Sequence, residues 1–275
     1  MPMTSTHDYS ALTRQCFINA PFERLQNDLL SLFLEYRFQP EIGLEGDCLW
    51  EQDPEDFTRI SKALQNQGLP CTMHAPFHDL VPGGFDQRMI ELSREKLARA
   101  FDLLPIFKPQ SIVCHLGFEH NKHGSQIDRW LETSVATWTP LIDTAEALDT
   151  WVMFENTYET DPEIHKKLFA ELNSKNVGFC LDTGHLLAFT GTSWQPWLAE
   201  LSPWLGQLHL HDNDGRGDKH IAVGTGIFDF QSLFKYLRRE NLFPIITLEP
   251  HSEKDLWLSL KNIEGMKLFK GFNLN

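Results

Sequence analysis

The sequence predicts an α/β fold in which eight parallel strands close into a single (β/α)8 barrel. Eight short apolar runs alternate with segments of helical spacing, and this alternation is typical of parallel βαβ units. The runs recur at about 30 residues, the size of one βα unit. A length of 275 residues also suits a closed barrel, which often uses about 250 residues in one domain.

The elements follow one another in a regular order. The predicted strands are 16–21, 38–46, 70–77, 111–118, 151–157, 177–185, 206–213 and 244–250. Helical spacing is found at 22–34, 57–67, 87–104 and 230–240. No Pro-, Gly- or Ser-rich linker interrupts this order. We therefore expect one domain over residues 1–275, with its first strand near 16–20 and its eighth near 244–250.

The net charge of the chain indicates which ligands it can bind. The chain has 24 Lys and Arg against 38 Asp and Glu, a net charge of −14. An acidic protein is a poor partner for polyanions, which leaves cations and small molecules as ligands. No basic leader with an apolar run is visible over Met1–Asp8, and no run approaches about 18 apolar residues, so we expect no membrane span.

Cysteine usage points to a reducing compartment. The five cysteines are an odd number with no CxxC spacing, which argues against a disulfide framework and a cysteine zinc site. Most lie in apolar runs, where a free thiol behaves as a small hydrophobe. The cytoplasm is the expected location.

Polar side chains collect at the carboxyl ends of the predicted strands. They are His74, His115, Glu155, Asp182, His185, His209 and Glu249. This face of a (β/α)8 barrel carries the chemistry. Alone, a histidine at a strand end is more often structural than a ligand, "LDTGH" is an ordinary helix cap and "DNDGRGD" an ordinary turn. Together, several carboxylates on one rim require cations, and mixed imidazole and carboxylate ligands suit Zn²⁺, Mn²⁺ or Fe²⁺.

The combined motifs resemble the xylose-isomerase-like TIM barrel superfamily, which includes sugar isomerases and epimerases, inosose dehydratases and the endonuclease IV family. The motifs are "HAPF", "CHLG", "FENT", "LDTGH", "HLHDN", "DKH", "VGTGIFDF" and "LEP", spread over nearly the whole chain. The resemblance implies a cofactor of divalent metal ions, zinc or manganese, with one to three per chain. The resemblance is also compatible with a homo-oligomer.

Two ligand patterns of the superfamily compete. The sugar isomerase pattern implies one metal ion on Glu155, Asp182, His209 and Glu249. The endonuclease IV pattern implies three zinc ions, with Glu155 bridging. Its nine ligands correspond to His74, His115, Glu155, Asp182, His185, His209, Asp218, His220 and Glu249.

The charge of the predicted rim loops nevertheless argues against DNA as a substrate. The predicted rim loops 46–56, 77–90 and 118–130 hold many more acidic than basic residues, whereas DNA binders neutralise phosphates with Lys and Arg. The sequence also has Phe77 where the endonuclease pattern has tyrosine, and "HLG" where that pattern has "HPG". We therefore expect a small-molecule substrate.

The leading hypothesis from sequence is a metal-dependent isomerase or epimerase of a small sugar, polyol or sugar phosphate. The metal would polarise a carbonyl, Glu155 and Glu249 would transfer a proton between carbons, and His185 would orient the substrate. The predicted substrate contacts are His211, Arg216, Lys219 and Phe77, although loop charges and rim aromatics are equally often structural.

Two alternatives remain. The first is a multinuclear phosphodiester hydrolase acting on abasic DNA or on a small phosphodiester such as a cobamide. The second is a barrel with purely structural metals, which placement at a barrel mouth disfavours.

Overall fold

The computed structural model describes residues 8–272 and forms a closed barrel of eight parallel strands. The strands are β1 (Phe17–Pro21), β2 (Gln39–Gly43), β3 (Thr72–His74), β4 (Ser111–His115), β5 (Trp151–Glu155), β6 (Val177–Asp182), β7 (Leu205–Leu210) and β8 (Ile245–Leu248). Each strand pairs with the next, and β1 also pairs with β8, which closes the barrel. The predicted fold class is confirmed.

Helices separate successive strands. The α-helices are α1 (Ser10–Thr13), α2 (Phe22–Arg24), α3 (Leu30–Tyr36), α4 (Cys48–Glu51), α5 (Pro54–Asn66), α6 (Gln87–Phe101), α7 (Leu104–Phe107), α8 (His120–His123), α9 (Ile127–Ala147), α10 (Glu163–Leu172), α11 (Thr183–His185), α12 (Trp194–Leu201), α13 (Phe230–Arg239) and α14 (Glu253–Met266). The π-helical segments are Leu25–Leu29 and Leu186–Thr190, and the 3₁₀ turns are Gly124–Gln126 and Ser202–Trp204.

The element boundaries agree with the predicted ones to within a few residues, with one division. The predicted helix 87–104 ends at Phe101, and α7 begins separately at Leu104. Pro105 explains the break, because a proline has no amide hydrogen and its ring clashes with the carbonyl four residues earlier. The ends of the predicted 1–275 domain, residues 1–7 and 273–275, lie outside the described residues.

The sequence encodes the helix starts and their buried faces. Asp53, Asp86 and Ser252 cap α5, α6 and α14 by accepting backbone N–H groups of the first turn. In α13 the buried residues recur at the spacing of one helical face. They are Phe230, Leu233, Phe234 and Leu237. Such faces cover the outside of the barrel and form the main hydrophobic core.

The barrel interior is separate from that core. Val113, Met153 and Cys180 form a small apolar cluster of their own, each two residues before a polar strand end, so each lies on the same face of its strand as that residue. All five cysteines are free and buried, as expected of small hydrophobes. Among the described residues, no helix combines the length and apolar character that a membrane span needs.

Candidate metal centre

The strand ends bring the predicted ligands to one end of the barrel. His74, His115, Glu155 and Asp182 are each the last residue of their strand. In the sheet register His115 lies beside Glu155, and Asp182 lies beside His209. The register of the barrel strands therefore sets the relative positions of these residues. No loop is needed to bring them together.

Glu155 lies at the centre of the site and is almost fully buried. Its Oε2 is 2.8 Å from His115 Nε2 and 3.2 Å from His74 Nε2. Its Oε1 is 3.0 Å from His209 Nδ1 and 3.4 Å from His185 Nδ1. Burial would raise the pKa of Glu155, but His209 and His115 hold it well below its usual value. Both oxygens of one carboxylate thus face imidazole nitrogens.

His74, His115 and Glu155 form one candidate ligand group. A second candidate group also includes Glu155. Glu155, Asp182, His209 and Glu249 each offer one ligand atom, and these atoms lie within 4.8 Å of one another. His209 Nδ1 is 3.2 Å from Glu249 Oε1 and 3.9 Å from Asp182 Oδ2. Three carboxylates therefore converge on one buried imidazole nitrogen.

A third group combines β6 and β7 with the loop that follows β7. His185, His211, Asp218 and His220 offer ligand atoms within 4.8 Å of one another. Asp218 Oδ2 is 3.1 Å from His220 Nε2 and 3.5 Å from His185 Nε2. Burial would lower the pKa of His220, but the hydrogen bond with Asp218 raises it to about 9. Asp218 and His220 thus behave as a charged pair that a cation would replace.

The 212–228 loop is held by a buried carboxylate. Asp212 Oδ1 accepts the backbone N–H groups of Asn213 and Phe228, and Oδ2 accepts those of Gly224 and Gly226. Asp212 and Ile221 also exchange two backbone hydrogen bonds. Taken alone, "DNDGRGD" predicts an ordinary turn, and the structure adds a clamped loop that holds Asp218 and His220 over the barrel.

His211 lies beneath the loop and is fully buried. Its ring stacks on His220 at 3.7 Å between centroids, and its Nε2 is 3.0 Å from Asp182. Among the described residues its Nδ1 has no hydrogen-bond partner. A Cβ at position 184 would lie 2.0 Å from the His211 ring, so Gly184 makes room for it. The structure therefore places His211 in a candidate ligand group, and its predicted contact with a substrate stays a prediction.

The mouth of the barrel opens into a cavity of about 800 Å³. Phe77 forms part of its wall and stacks on His115 at 4.4 Å. Tyr158 and Phe189 pack together on another part of the wall. Among the described residues that line the cavity, Lys122 is the one Lys or Arg, and it is paired with Glu119.

Arg216 and Lys219 are exposed on the outer part of the loop. Lys219 Nζ is 2.5 Å from Asp214, and the Arg216 backbone is bound to the same aspartate. Neither residue is among the described residues that line the cavity. Their predicted contact with a substrate remains a prediction, and the structure gives it no support.

Sequence reasoning missed several residues of the site. Glu41 in β2 is fully buried next to His209. His251 stacks on His220 at 4.0 Å and lines the cavity, as do His78 and His123. A signal for Glu41 exists: it is a single carboxylate inside an apolar strand, which requires a buried polar partner.

The donor set fits divalent cations. Glu155, Asp182 and Glu249 are all buried within a few ångströms of one another, and such carboxylates repel strongly unless cations neutralise them. Imidazole and carboxylate donors together suit zinc, manganese or iron. The structure therefore contains candidate metal-binding clusters of His, Asp and Glu at the barrel mouth.

Comparison with known sequences places these groups in a family context. A profile of the family described as xylose isomerase-like TIM barrel matches residues 40–270. An uncharacterized protein of Methanocaldococcus jannaschii is 22% identical over 213 residues, which are 74% of this chain and 71% of that protein. A probable endonuclease 4 of Mycobacterium leprae is 26% identical over 183 residues, 62% of this chain and 69% of that protein.

Solved structures share the fold. A D-tagatose 3-epimerase-like protein has a TM-score of 0.78 at 21% identity, covering 91% of this chain and 97% of its own. The 3-keto-D-glucoside 4-epimerase of E. coli, in its apo form, has a TM-score of 0.70 at 18% identity, covering 92% of this chain and 98% of its own. At these identities the similarity shows the fold alone.

Proposed function

The chain belongs to the xylose isomerase-like TIM barrel family, and from this premise we propose that it is a multinuclear metal-dependent hydrolase of a phosphoester bond in a small molecule. The observation that carries the proposal is the position of Glu155. One of its oxygens faces His74 and His115, and the other faces His209 and His185.

This arrangement suits a carboxylate that bridges two metal ions. A base that moves a proton between substrate carbons needs an oxygen directed at the substrate, whereas both oxygens of Glu155 are directed at imidazoles. The sequence alone favours an isomerase in which Glu155 transfers protons. The structural surroundings of Glu155 support the hydrolase more strongly.

The residues of the chain would divide the work. Divalent ions bound at this mouth would neutralise the leaving oxygen and make water nucleophilic near neutral pH. Glu155, Asp182 and His209 would help to hold these ions. Glu249 is a ligand candidate that also lines the cavity, so its carboxylate would accept a proton from the attacking water.

The cavity supports a small substrate with little negative charge. Its wall includes Glu45, Asp79 and Glu119, and its one lysine, among the described lining residues, is already paired. A nucleic-acid backbone requires several unpaired cationic side chains. A phosphodiester of modest size, held by its phosphate at the metal centre, is compatible with this wall.

A sugar isomerase or epimerase is the second candidate. Glu155, Asp182, His209 and Glu249 form a one-metal ligand set by themselves, and the two solved structures above are named for epimerases. In that chemistry Glu155 and Glu249 would exchange a proton with a carbon next to a metal-polarised carbonyl.

One paired assay separates the two candidates. The zinc- and manganese-loaded protein is supplied with bis(p-nitrophenyl) phosphate, and separately with ketohexoses in deuterium oxide. We expect nitrophenolate release and no deuterium at the sugar carbons. Deuterium incorporation without phosphodiester cleavage would replace the hydrolase proposal with the epimerase. Lys166→Ala, in an exposed ion pair away from the cavity, is the control and should retain full activity.

A further inference from the structure

A buried carboxylate lies inside the barrel, directly beneath the metal centre. Glu41 is fully buried in the middle of β2. Its Oε2 accepts hydrogen bonds from Gln207 Nε2 at 2.6 Å, Thr247 Oγ1 at 2.9 Å and Thr72 Oγ1 at 3.0 Å. Three donors on one oxygen stabilise the ionised carboxylate and fix its orientation.

The other oxygen of Glu41 faces a candidate metal ligand. Oε1 lies 3.1 Å from His209 Nε2, which is an ion-pair distance, and it accepts no hydrogen bond in the described part of the chain. The opposite ring nitrogen, Nδ1, faces Glu155 at 3.0 Å and Glu249 at 3.2 Å. The imidazole thus stands between Glu41 on the inner side and the metal-binding carboxylates on the outer side.

We propose that Glu41 is a positioning residue that fixes the tautomer of His209, so that Nε2 carries the hydrogen and Nδ1 offers its lone pair to a divalent ion. An anionic oxygen at 3.1 Å repels a lone pair on Nε2 and attracts an N–H group. Gln207 Nε2 has two hydrogens, and its two shorter contacts are with Glu41 Oε2 at 2.6 Å and Thr247 Oγ1 at 3.2 Å. Its contact with His209 Nε2 is longer, at 3.3 Å, so a hydrogen on that ring nitrogen is compatible with the network. The inference rests on the metal centre of the proposed function and is independent of the reaction performed there.

The substitution Glu41→Gln tests this without changing side-chain size. Ser111 donates to Gln207 Oε1 and so directs Gln207 Nε2 toward the former Oε2 position, where the new side chain is expected to place its carbonyl oxygen. Its NH₂ group then faces His209 Nε2 and donates to it. The variant should therefore favour the tautomer with hydrogen on Nδ1, which cannot ligate a metal through that atom.

Two measurements are made on the full-length protein. Zinc affinity is determined by competition with a chromophoric chelator, and the tautomer of His209 is read from ¹⁵N chemical shifts, assigned with His209→Gln. We expect zinc at this group to bind about 10- to 100-fold more weakly in Glu41→Gln, as is usual when a ligand loses its outer hydrogen-bond partner. We also expect His209 Nδ1 to be protonated in the variant.

A matched control lies in the same buried network. Ser111 Oγ donates to Gln207 Oε1 at 2.6 Å, and within residues 8–272 no hydrogen bond joins it to His209 or Glu41. Ser111→Ala disturbs the network but leaves the Glu41 carboxylate in place, so zinc affinity and the tautomer should stay as in the wild type. Equal losses in both variants would reduce Glu41 to a structural role.

The remaining outcomes are also decisive. Wild-type zinc affinity in Glu41→Gln would overturn the role of Glu41 while leaving the metal centre intact. Failure of the unmodified protein to bind any divalent ion would overturn the proposed function and this inference together. If Glu41→Gln does not fold, the zinc-loaded wild type still decides, because hydrogen on Nδ1 of His209 would contradict the proposal.

Discussion

Two parts of the metal centre are built in different ways. The strand set consists of residues within the strands, namely His74, His115, Glu155, Asp182 and His209. The loop set consists of Asp218 and His220, on the loop after β7. The side chain of Glu155 is 1% exposed, whereas those of Asp218 and His220 are 24% and 12% exposed. The strand set is fixed by sheet hydrogen bonds, and the loop set depends on one clamped loop.

This difference indicates a division of roles. The backbone positions of the strand-set ligands are fixed by the sheet register, and Glu155 is common to the candidate groups that contain His74, His115 or Asp182. Ligands on a loop are tuned by the loop's own hydrogen bonds and are removable without unfolding the barrel. Loss of Glu155 should therefore disrupt every candidate group that includes it, and loss of the loop set should affect only the group that contains Asp218 and His220.

The largest effect is expected for Glu155→Gln. The amide nitrogen of glutamine does not ligate cations, so the new side chain offers one ligand oxygen instead of two. The candidate groups that contain Glu155 therefore lose a shared carboxylate. We expect activity to fall by more than about 100-fold, beyond the usual cost of an outer-partner loss. Glu163→Gln, in an exposed pair on α10, is the control. Retention of metal and activity by Glu155→Gln would remove the central role of the strand set.

The second effect is expected for Asp218→Ala combined with His220→Ala. This change removes the loop set and leaves every strand-set ligand in place. Asp218 and His220 belong to only one of the candidate ligand groups in the described residues, so we expect the double variant to lose about one metal equivalent and to keep a folded barrel. Metal analysis with a thermal melt checks both points, and complete loss of metal would contradict separate sets.

A third prediction concerns the clamp rather than the ligands. Asp212→Asn weakens four backbone hydrogen bonds to a buried carboxylate. Such a change costs about 1–3 kcal/mol of local stability. Hydrogen exchange should rise across the 212–228 loop, and only the loop-set metal should bind more weakly. Equal exchange rates in the barrel strands serve as the internal control.

The metal-free protein should show opposite pH behaviour at the two sets. Burial lowers the pKa of His115 to about 4, so its stability contribution is present above the unfolded pKa of about 6.5 and is lost as the pH falls toward 4. His220, with its pKa raised to about 9, contributes stability below about 6.5 that is lost as the pH rises through 9.

Histidine NMR titration of the metal-free protein measures these two pKa values. Because a ligating imidazole must lose its proton, metal affinity at the loop set should also rise with pH up to about 9. A His220 that titrates below His115 would contradict the assignment of charge to the Asp218–His220 pair.

The smallest effect is expected for Lys219→Ala. Lys219 forms an exposed pair with Asp214, and such pairs contribute about 0–1 kcal/mol. We expect KM to change by less than about twofold. The free energy of unfolding should change by less than about 1 kcal/mol. A large rise in KM would instead support the substrate contact that the sequence predicts for Lys219.

Sequence patterns predict the strand set well, for a physical reason. Strand periodicity and the strand-end rule depend only on local sequence, so Glu155 and Asp182 could be placed at the barrel mouth without coordinates. Glu41 could not be placed there, because its partner His209 lies across the barrel, more than 160 residues away in the sequence. The alternation of side chains along one strand predicts which face of the sheet a residue lies on. It does not predict which side chains from other strands it meets inside the barrel.

The loop set shows a second limit of prediction from sequence, which concerns how a loop is held in place. The motif "DKH" singles out Asp218 and His220, but turn-forming residues around it predict only a solvated loop. The clamp by Asp212 depends on backbone groups as far away as Phe228. Arg216 and Lys219 illustrate the same limit, since nothing local indicates whether a loop charge faces the cavity or solvent.

Metal content per chain tests the central claim most directly. The protein is loaded with zinc, freed of excess metal by dialysis and analysed by elemental mass spectrometry, together with Glu155→Gln and the Asp218→Ala/His220→Ala variant. Two of the four candidate ligand groups share both Glu155 and His209 and count as one site, so the groups provide three sites. We therefore expect close to three ions in the wild type, about two in the double variant and at most one in Glu155→Gln. A single ion in the wild type, unchanged in the double variant, would contradict the account.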